Sequence, residues 1–231
     1  MLNNSSADAE RVTISDIYAL TALEAAPLLL GHTLVRATED GVIRCRIVET
    51  ESYGGAEDQG SHAYQNRRTA RTELMFQAGG PAYIYLIYGM YHCLNVVTGA
   101  IDDPQAVLIR AVEPLTPKDE LLMRRYRGTE LRKPADMSNG PGKLCRALRI
   151  DKSLNGCSLR STEGPLWLET ATIDPNMQIM SGPRINIDYA GAYAEKPWRF
   201  IIRDHAFNSV PKAPLSFYKK YGDLDQLTGQ H

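Results

Sequence analysis

Apolar and polar residues alternate most clearly from Val42 to Tyr53. Val42-Ile43-Arg44-Cys45-Arg46-Ile47 runs directly into Val48-Glu49-Thr50-Glu51-Ser52-Tyr53. Residues two apart share a face of a strand. One face then carries Ile43, Cys45, Ile47, Glu49, Glu51 and Tyr53, and the other Arg44, Arg46, Thr50 and Ser52. The face that begins as core ends with two carboxylates pointing inward, which is costly unless they are paired or used. A strand end that reaches solvent would make both harmless, and a bulge would exchange the faces.

The flanking pattern predicts the remaining elements. Ser15-Asp16 can cap a helix through Tyr18, Leu20 and Leu23 that Pro27 kinks or ends, with Leu28-Leu29-Leu30-Gly31 closing the unit. Thr33–Ala37 reads as a strand, and Glu39-Asp40-Gly41 as a hairpin turn, because Asp-Gly tolerates positive φ. Gly54 to Arg71 is a polar, irregular segment containing His62, of a length that often carries function. Residues 82–97 read as strand, turn at Gly89, strand. Ala106–Val112 is the most apolar strand and belongs in the centre of a sheet. A helix then a loop fit residues 117–135, and Asn139-Gly140-Pro141-Gly142-Lys143-Leu144 enters a helix ending at Leu148. Leu166-Trp167-Leu168 and Arg184-Ile185-Asn186-Ile187 read as short strands, and residues 196–202 close the core. With no repeat and no low-complexity linker, the expectation is one mixed α+β domain over 1–231, a mainly antiparallel sheet flanked by helices. Flexible tails are expected at about 1–12 and 222–231.

Several residues do not fit a purely structural pattern. Arg110, in the middle of the apolar strand, keeps its charge and needs an acceptor. Glu49 and Glu51 are the obvious acids, although a structural ion pair explains this as well as a catalytic one. Tyr83, Tyr85, Tyr88 and Tyr91 put four tyrosines in nine residues. They can pack a sheet with their hydroxyls in water, or the turn bearing Tyr88, Met90 and Tyr91 can project as a wedge that stacks on bases. Asn95 among apolar residues needs partners from backbone or ligand. His62 reads equally as an exposed loop histidine.

Composition narrows the class. The chain has 231 residues, 43% apolar and 23% charged, as in an ordinary soluble globular protein. It has no apolar run long enough to span a bilayer, and its first residues lack the regions of a signal peptide. Cys45, Cys93, Cys145 and Cys157 form no C-x-x-C pair, so reduced thiols are expected. The five histidines are scattered, so no metal site is expected. Net charge is only −1, but residues 1–60 carry ten acids against four bases, and residues 110–152 eleven bases against six acids. Together with Arg67-Arg68-Thr69-Ala70-Arg71, this permits a basic face for a polyanion. The glycines before Leu144 can hold an anion with Lys143, although the pattern is not a P-loop.

Taken together and in order, Val48-Glu49-Thr50-Glu51-Ser52-Tyr53, Asp58…Ser61-His62, Arg67…Thr69…Arg71…Met75-Phe76, Tyr83-Ile84-Tyr85…Tyr88-Gly89-Met90…Cys93…Asn95, Val107-Leu108-Ile109-Arg110-Ala111…Glu113-Pro114 and Asn139-Gly140-Pro141-Gly142-Lys143-Leu144 resemble the alkyladenine (3-methyladenine) DNA glycosylases. The likeness runs from about Leu28 to Phe200. It implies a curved sheet like that of formyltransferase C-terminal domains, and a monofunctional repair enzyme. Such an enzyme hydrolyses the N-glycosidic bond of 3-methyladenine, 7-methylguanine, hypoxanthine or ethenoadenine, with no metal or cofactor, and leaves an abasic site. By matched position it implies Glu51 as the base that activates water and Arg110 as the residue that holds the water and the purine. Tyr53, His62, Tyr85, Asn95 and Ile185 would form the base pocket. Tyr88 would be the wedge, with Met90, Tyr91, Arg67 and Thr69 touching DNA. The implied partner is duplex DNA with a damaged purine, bound by a monomer without a membrane. The implied location is the cytoplasm and nucleoid of a bacterium or the nucleus of a eukaryote. Asn186 stands where the family often has Gly, which bears on substrate range. Ser52 and Ala70 are milder departures, replacing a common Ala and Pro. A non-catalytic damage sensor, a small-molecule hydrolase and an RNA-binding module on the same scaffold are the alternatives.

Overall fold

Thirteen residues of near-continuous strand, Gly41–Tyr53 (β2), form the spine of the fold in the computed structural model, which describes residues 13–128, 130–209 and 214–224. The preceding strand β1 (Thr33–Thr38) turns back through Glu39-Asp40, with Gly41 at φ 132°, so the expected hairpin forms. On its other edge β2 pairs with β5 (Ala106–Pro114), while β8 (Arg199–Ile202) pairs with Glu49–Glu51 on the edge opposite β5. Strands β3 (Ala82–Ile87) and β4 (Tyr91–Val97) continue the sheet beyond β5. Strand β6 (Leu166–Glu169) pairs with β1, while β7 (Gln178–Gly182) and β9 (Ser216–Lys220) follow β8. All these pairings are antiparallel. The result is one α+β domain built on a large antiparallel sheet, as the sequence predicts.

The single continuous inward face of β2 does not survive. Pairing runs Ile47 to Val112, then Glu49 to Ala111, then Thr50 to Ile109. Val48 of β2 and Arg110 of β5 are each left without a facing partner. These two opposed bulges restore the register but exchange the faces, because side-chain direction has a period of two. Val48 therefore joins Ile43, Cys45 and Ile47 in the main core. The Thr50 hydroxyl donates to the Ala26 carbonyl at 2.7 Å, on the helix side of the sheet. Glu51 and Tyr53 turn to the opposite side. Further along, Ile84, Leu94, Val96, Val107 and Ile109 lie in the main core, while Tyr83, Tyr85, Cys93, Asn95 and Leu108 face the other way.

The N-terminal helix divides in two. Thr13 caps α1 (Ile14–Ile17) and Thr21 caps α2 (Ala22–Leu28); Asp16 and Glu24 bond back to the cap N–H groups at 2.7 and 3.0 Å. Each Thr satisfies a helix start better than Ser15, which lies inside α1. Pro27 occupies the last turn of α2, where it removes the hydrogen bond that an N–H would give to the Leu23 carbonyl, and the helix ends at Leu28. Helix α3 (Pro117–Arg127) starts at Thr116, whose hydroxyl accepts from Asp119 N, and ends at Gly128 with φ 60°. Helix α4 (Pro141–Ala147) has Pro141 in its first turn.

Two other expectations change. Arg184–Ile187 is not a strand: it follows Pro183 and bends at Asn186, which takes φ 60°. The true neighbouring strand is β7, whose short mixed composition hid it. Residues 222–224 do not begin a free tail. Gly222 N donates to the Pro175 carbonyl, and Leu224 is buried in the core. Residues 1–12 and 225–231 lie outside the described residues. Among the described residues no helix is long and apolar enough to cross a membrane. Cys45, Cys93 and Cys145 are buried, Cys157 is half-buried, and all four are free thiols.

His32 ties the C-terminal turn to the core. Its Nδ1 accepts from Ala171 N at 3.0 Å, and its Nε2 meets the Tyr221 hydroxyl at 3.1 Å. Burial lowers its pKa to about 4, from 6.5. Below pH 6.5 the unfolded chain takes up a proton that the folded chain refuses until about pH 4. Stability is therefore full above pH 6.5 and falls toward pH 4, by about 3 kcal/mol for this group at 1.36 kcal/mol per unit. In urea titrations, the stability gap between wild type and His32→Gln is expected to narrow from pH 7 to pH 5. A gap that holds constant would remove this role.

Candidate active site

The bulge that strands Arg110 also aims it between two buried carboxylates. Arg110 Nε donates to Glu49 Oε1 and Nη1 to Glu51 Oε2, each at 3.2 Å. Both glutamates are wholly shut from solvent. Burial opposes the Arg110 charge, but Glu51 and then Glu49 outweigh it and raise the pKa above the usual arginine value.

The two acids have different surroundings. Glu49 Oε1 also accepts from Arg199 Nη1 at 3.3 Å and Ser209 Oγ at 2.7 Å, and its Oε2 accepts from Ser209 N at 2.7 Å. Two guanidiniums, a hydroxyl and a backbone N–H saturate it. Glu51 Oε2 accepts from the Tyr53 hydroxyl at 2.9 Å as well as from Arg110. Among the described residues its Oε1 accepts only from Ile185 N, at 2.8 Å. A carboxylate offers about four lone-pair positions; among the described residues Glu51 takes three donors where Glu49 takes four, so Glu51 is the less occupied acid. Burial, then the Glu51 charge, pushes Tyr53 well above the ordinary tyrosine range and keeps it a donor.

A cavity of about 740 Å³ opens over this pair. Tyr53, Arg110 and Ile185, the three donors to Glu51, form part of its wall, and Glu51 lies directly behind them. His62, Tyr83, Tyr85, Asn95 and Leu108 continue the wall. The His62 and Tyr85 rings meet edge-on at 4.5 Å, and Tyr83 lies 5.4 Å from Tyr85. His62 Nε2 receives a hydrogen bond from Arg71 Nη2 at 3.2 Å, so its Nδ1 carries the proton toward the Tyr83 hydroxyl at 2.9 Å. Burial, then Arg71, lowers the His62 pKa to about 4, leaving the ring neutral at pH 7. His62 is thus a wall residue, not a free loop histidine. Asn95 donates its amide to the Tyr83 carbonyl at 3.0 Å, answering its need for a partner with backbone.

A second buried ion pair holds the wall together. Arg184 Nη1 and Nη2 donate to both oxygens of Asp58 at 2.6 and 2.7 Å, and Nη1 also to the Ser52 carbonyl at 2.9 Å. Its guanidinium lies 4.7 Å from the Tyr53 ring and 5.0 Å from that of Trp198. This clamps the 184–189 bend to the 54–62 loop and so sets where Ile185 N meets Glu51. The sequence reading missed the importance of Arg184, Arg199 and Ser209. Arg199, between Trp198 and Phe200 in an apolar stretch, carried the same signal as Arg110.

Tyr88 stands at the cavity mouth, 69% exposed. It takes φ 53° and Gly89 φ 68°, and Met90 N donates to the Ile87 carbonyl, so a tight turn thrusts the ring outward. Tyr88 and Tyr91 belong to the cavity wall, and Met90 projects from the same turn. Arg67 and Thr69 do not reach this cavity; with Tyr189 they line an adjoining groove of about 630 Å³. Tyr189, 70% exposed, borders both spaces and was not expected from the sequence. Among the described residues no group of three His, Cys, Asp or Glu side chains gathers as a metal centre.

Comparison with known proteins adds a lineage to this geometry. A family model described as methylpurine-DNA glycosylase matches residues 16–206. A protein of Natranaerobius thermophilus is 46% identical over 195 residues, covering 84% of this chain and 97% of its own. Proteins of Bacillus cereus and Bacillus mycoides are 48% and 47% identical over 197 residues, covering 83% of this chain and 96% of theirs. All three carry the provisional name 3-methyladenine DNA glycosylase.

Proposed function

This chain belongs to the methylpurine-DNA glycosylase family, and from that premise we propose that it hydrolyses the N-glycosidic bond of alkylated and deaminated purines flipped out of duplex DNA. The observation that carries this is the Glu51–Arg110 pair buried directly behind an aromatic cavity. An extruded purine stacks against Tyr53, His62 and Tyr85. Faces of electron-rich rings favour a cationic alkylated base by about 0.5–2 kcal/mol each. Glu51, through its open Oε1 position, takes a proton from one water. The water oxygen bonds to the sugar C1′ as the C1′–N9 bond breaks, and the purine departs with that electron pair, which neutralises an alkylated cation; a neutral deaminated purine leaves as its N9 anion and takes up the proton that Glu51 accepted from the water. Lys143 is the one amine among the described cavity residues, and it bonds to Asn139 Oδ1 at 2.7 Å. That tether favours water over a lysine amine as nucleophile, hence a monofunctional enzyme.

The test is to incubate the protein, with chelator, with duplexes carrying hypoxanthine, ethenoadenine or 7-methylguanine and with methylated genomic DNA. Free base plus strand scission only after alkali is the expected result. Tight binding with no release from any substrate would overturn catalysis and leave a damage sensor.

Tyr88 acts in this reading as the wedge that fills the gap left by the flipped nucleotide. Base–aromatic stacking is worth about 1–3 kcal/mol. Tyr88→Ala is therefore expected to slow release from duplex roughly 5- to 150-fold and to leave release from single strands nearly unchanged. Equal losses on both substrates would remove the wedge role. Neither side chain favours φ 53°, so turn strain is the same in both proteins.

A further inference from the structure

Two arginines on the cavity wall form no ion pair among the described residues. Arg127 ends α3 and Arg146 lies in α4, and both line the cavity near Tyr91. Neighbouring cations of these helices are paired: Arg124 with Glu120, Arg125 with Asp40, and Lys143 with Asp136. Arg127 is half-buried, and its Nε is closed to solvent without a hydrogen-bond partner. Burial, then the Arg146 charge, lowers the Arg127 pKa, with Asp136 opposing only in part. Two guanidiniums facing one space repel each other unless an anion lies between them. Their place is also fixed. A Cβ at Gly142 would come within 3.0 Å of the Tyr91 ring, so α4 packs directly on the base of the Tyr88 turn and holds Arg146 there.

We propose that Arg127 and Arg146 form a seat for one phosphodiester of the strand whose nucleotide enters the cavity. The inference rests on the proposed function and adds the polarity of the substrate's path. Guanidinium forks match phosphate oxygens in pairs. Because the seat is part of the wall that takes the base, the phosphate nearest to it belongs to the flipped nucleotide or its neighbour, not to the opposite strand.

The test compares wild type with R127Q/R146Q, and with R146Q alone, which alters only an exposed side chain. Duplex affinity is measured against salt, and then with single methylphosphonate linkages placed next to the lesion or opposite it. One phosphate contact contributes about 0.9 to the slope of log K against log salt. The double variant is expected to lose about that much slope, and R146Q a part of it. One neutral linkage beside the lesion is expected to weaken wild type and leave the double variant unchanged. Equal slopes in all three proteins, or a neutral linkage that weakens wild type and double variant alike at every position, would overturn the seat. Base release by wild type is read separately. Release with equal slopes removes the seat alone, whereas no release with the slope difference intact keeps the seat and removes catalysis.

Discussion

Glu51→Gln is expected to abolish base release while leaving binding to damaged duplex nearly intact. The amide keeps the shape of the carboxylate and cannot take a proton from water. General-base assistance is worth roughly 10²–10⁴-fold, so single-turnover release should fall by that amount. Binding survives because the cavity wall consists of Tyr53, His62, Tyr85 and Asn95, with Glu51 behind it. Folding survives because Arg110 keeps its hydrogen bond to Glu49. A variant that still releases base within a few-fold of wild type would show that Glu51 is only a structural acid. The same experiment on Glu49 separates the two acids, which stand two residues apart on the same strand.

Glu49→Ala is expected to act on stability first. It would leave Arg110 and Arg199 buried with less compensation and Ser209 N without its acceptor. Removing one partner of a buried ion pair costs about 3–5 kcal/mol, because an uncompensated charge stays behind. At about 2–4 °C per kcal/mol for a chain of this size, the melting temperature should drop roughly 6–20 °C. Among the described residues Arg199 Nε and Nη2 lack partners, which makes the bond from Nη1 to Glu49 harder to replace. Adding Arg199→Leu to the variant should restore part of the loss, since the pair then disappears together. A loss below about 1 kcal/mol in urea titration would mean that water reaches this network.

Much of this was legible along the chain because it is local. Side-chain alternation with period two placed β2, β5 and the hairpin of β3 and β4. Asp-Gly and Tyr-Gly marked turns whose backbone needs positive φ at one or two residues. A charged residue in an apolar run singled out Arg110, and its two acids followed. The Asn139-to-Leu144 motif located the start of α4. The split of the first helix was also legible in hindsight, since Thr13 and Thr21 each precede an acid by three residues.

What the sequence by itself determined is this set of strands, turns and ordered motifs, and with them the family. Neighbouring residues suffice for that, because pleat, turn and cap preferences act over a few bonds. Only the tertiary structure decided which way the carboxylates point. The opposed bulges at Val48 and Arg110 arise between strands about 60 residues apart and exchange the faces that alternation alone assigns. It also separated Glu49 from Glu51, because their partners, Ser209 and Ile185, lie 160 and 134 residues away. Burial, charge compensation and the open lone pair of Glu51 depend on which distant donors arrive, and chain-local periodicity holds no record of them.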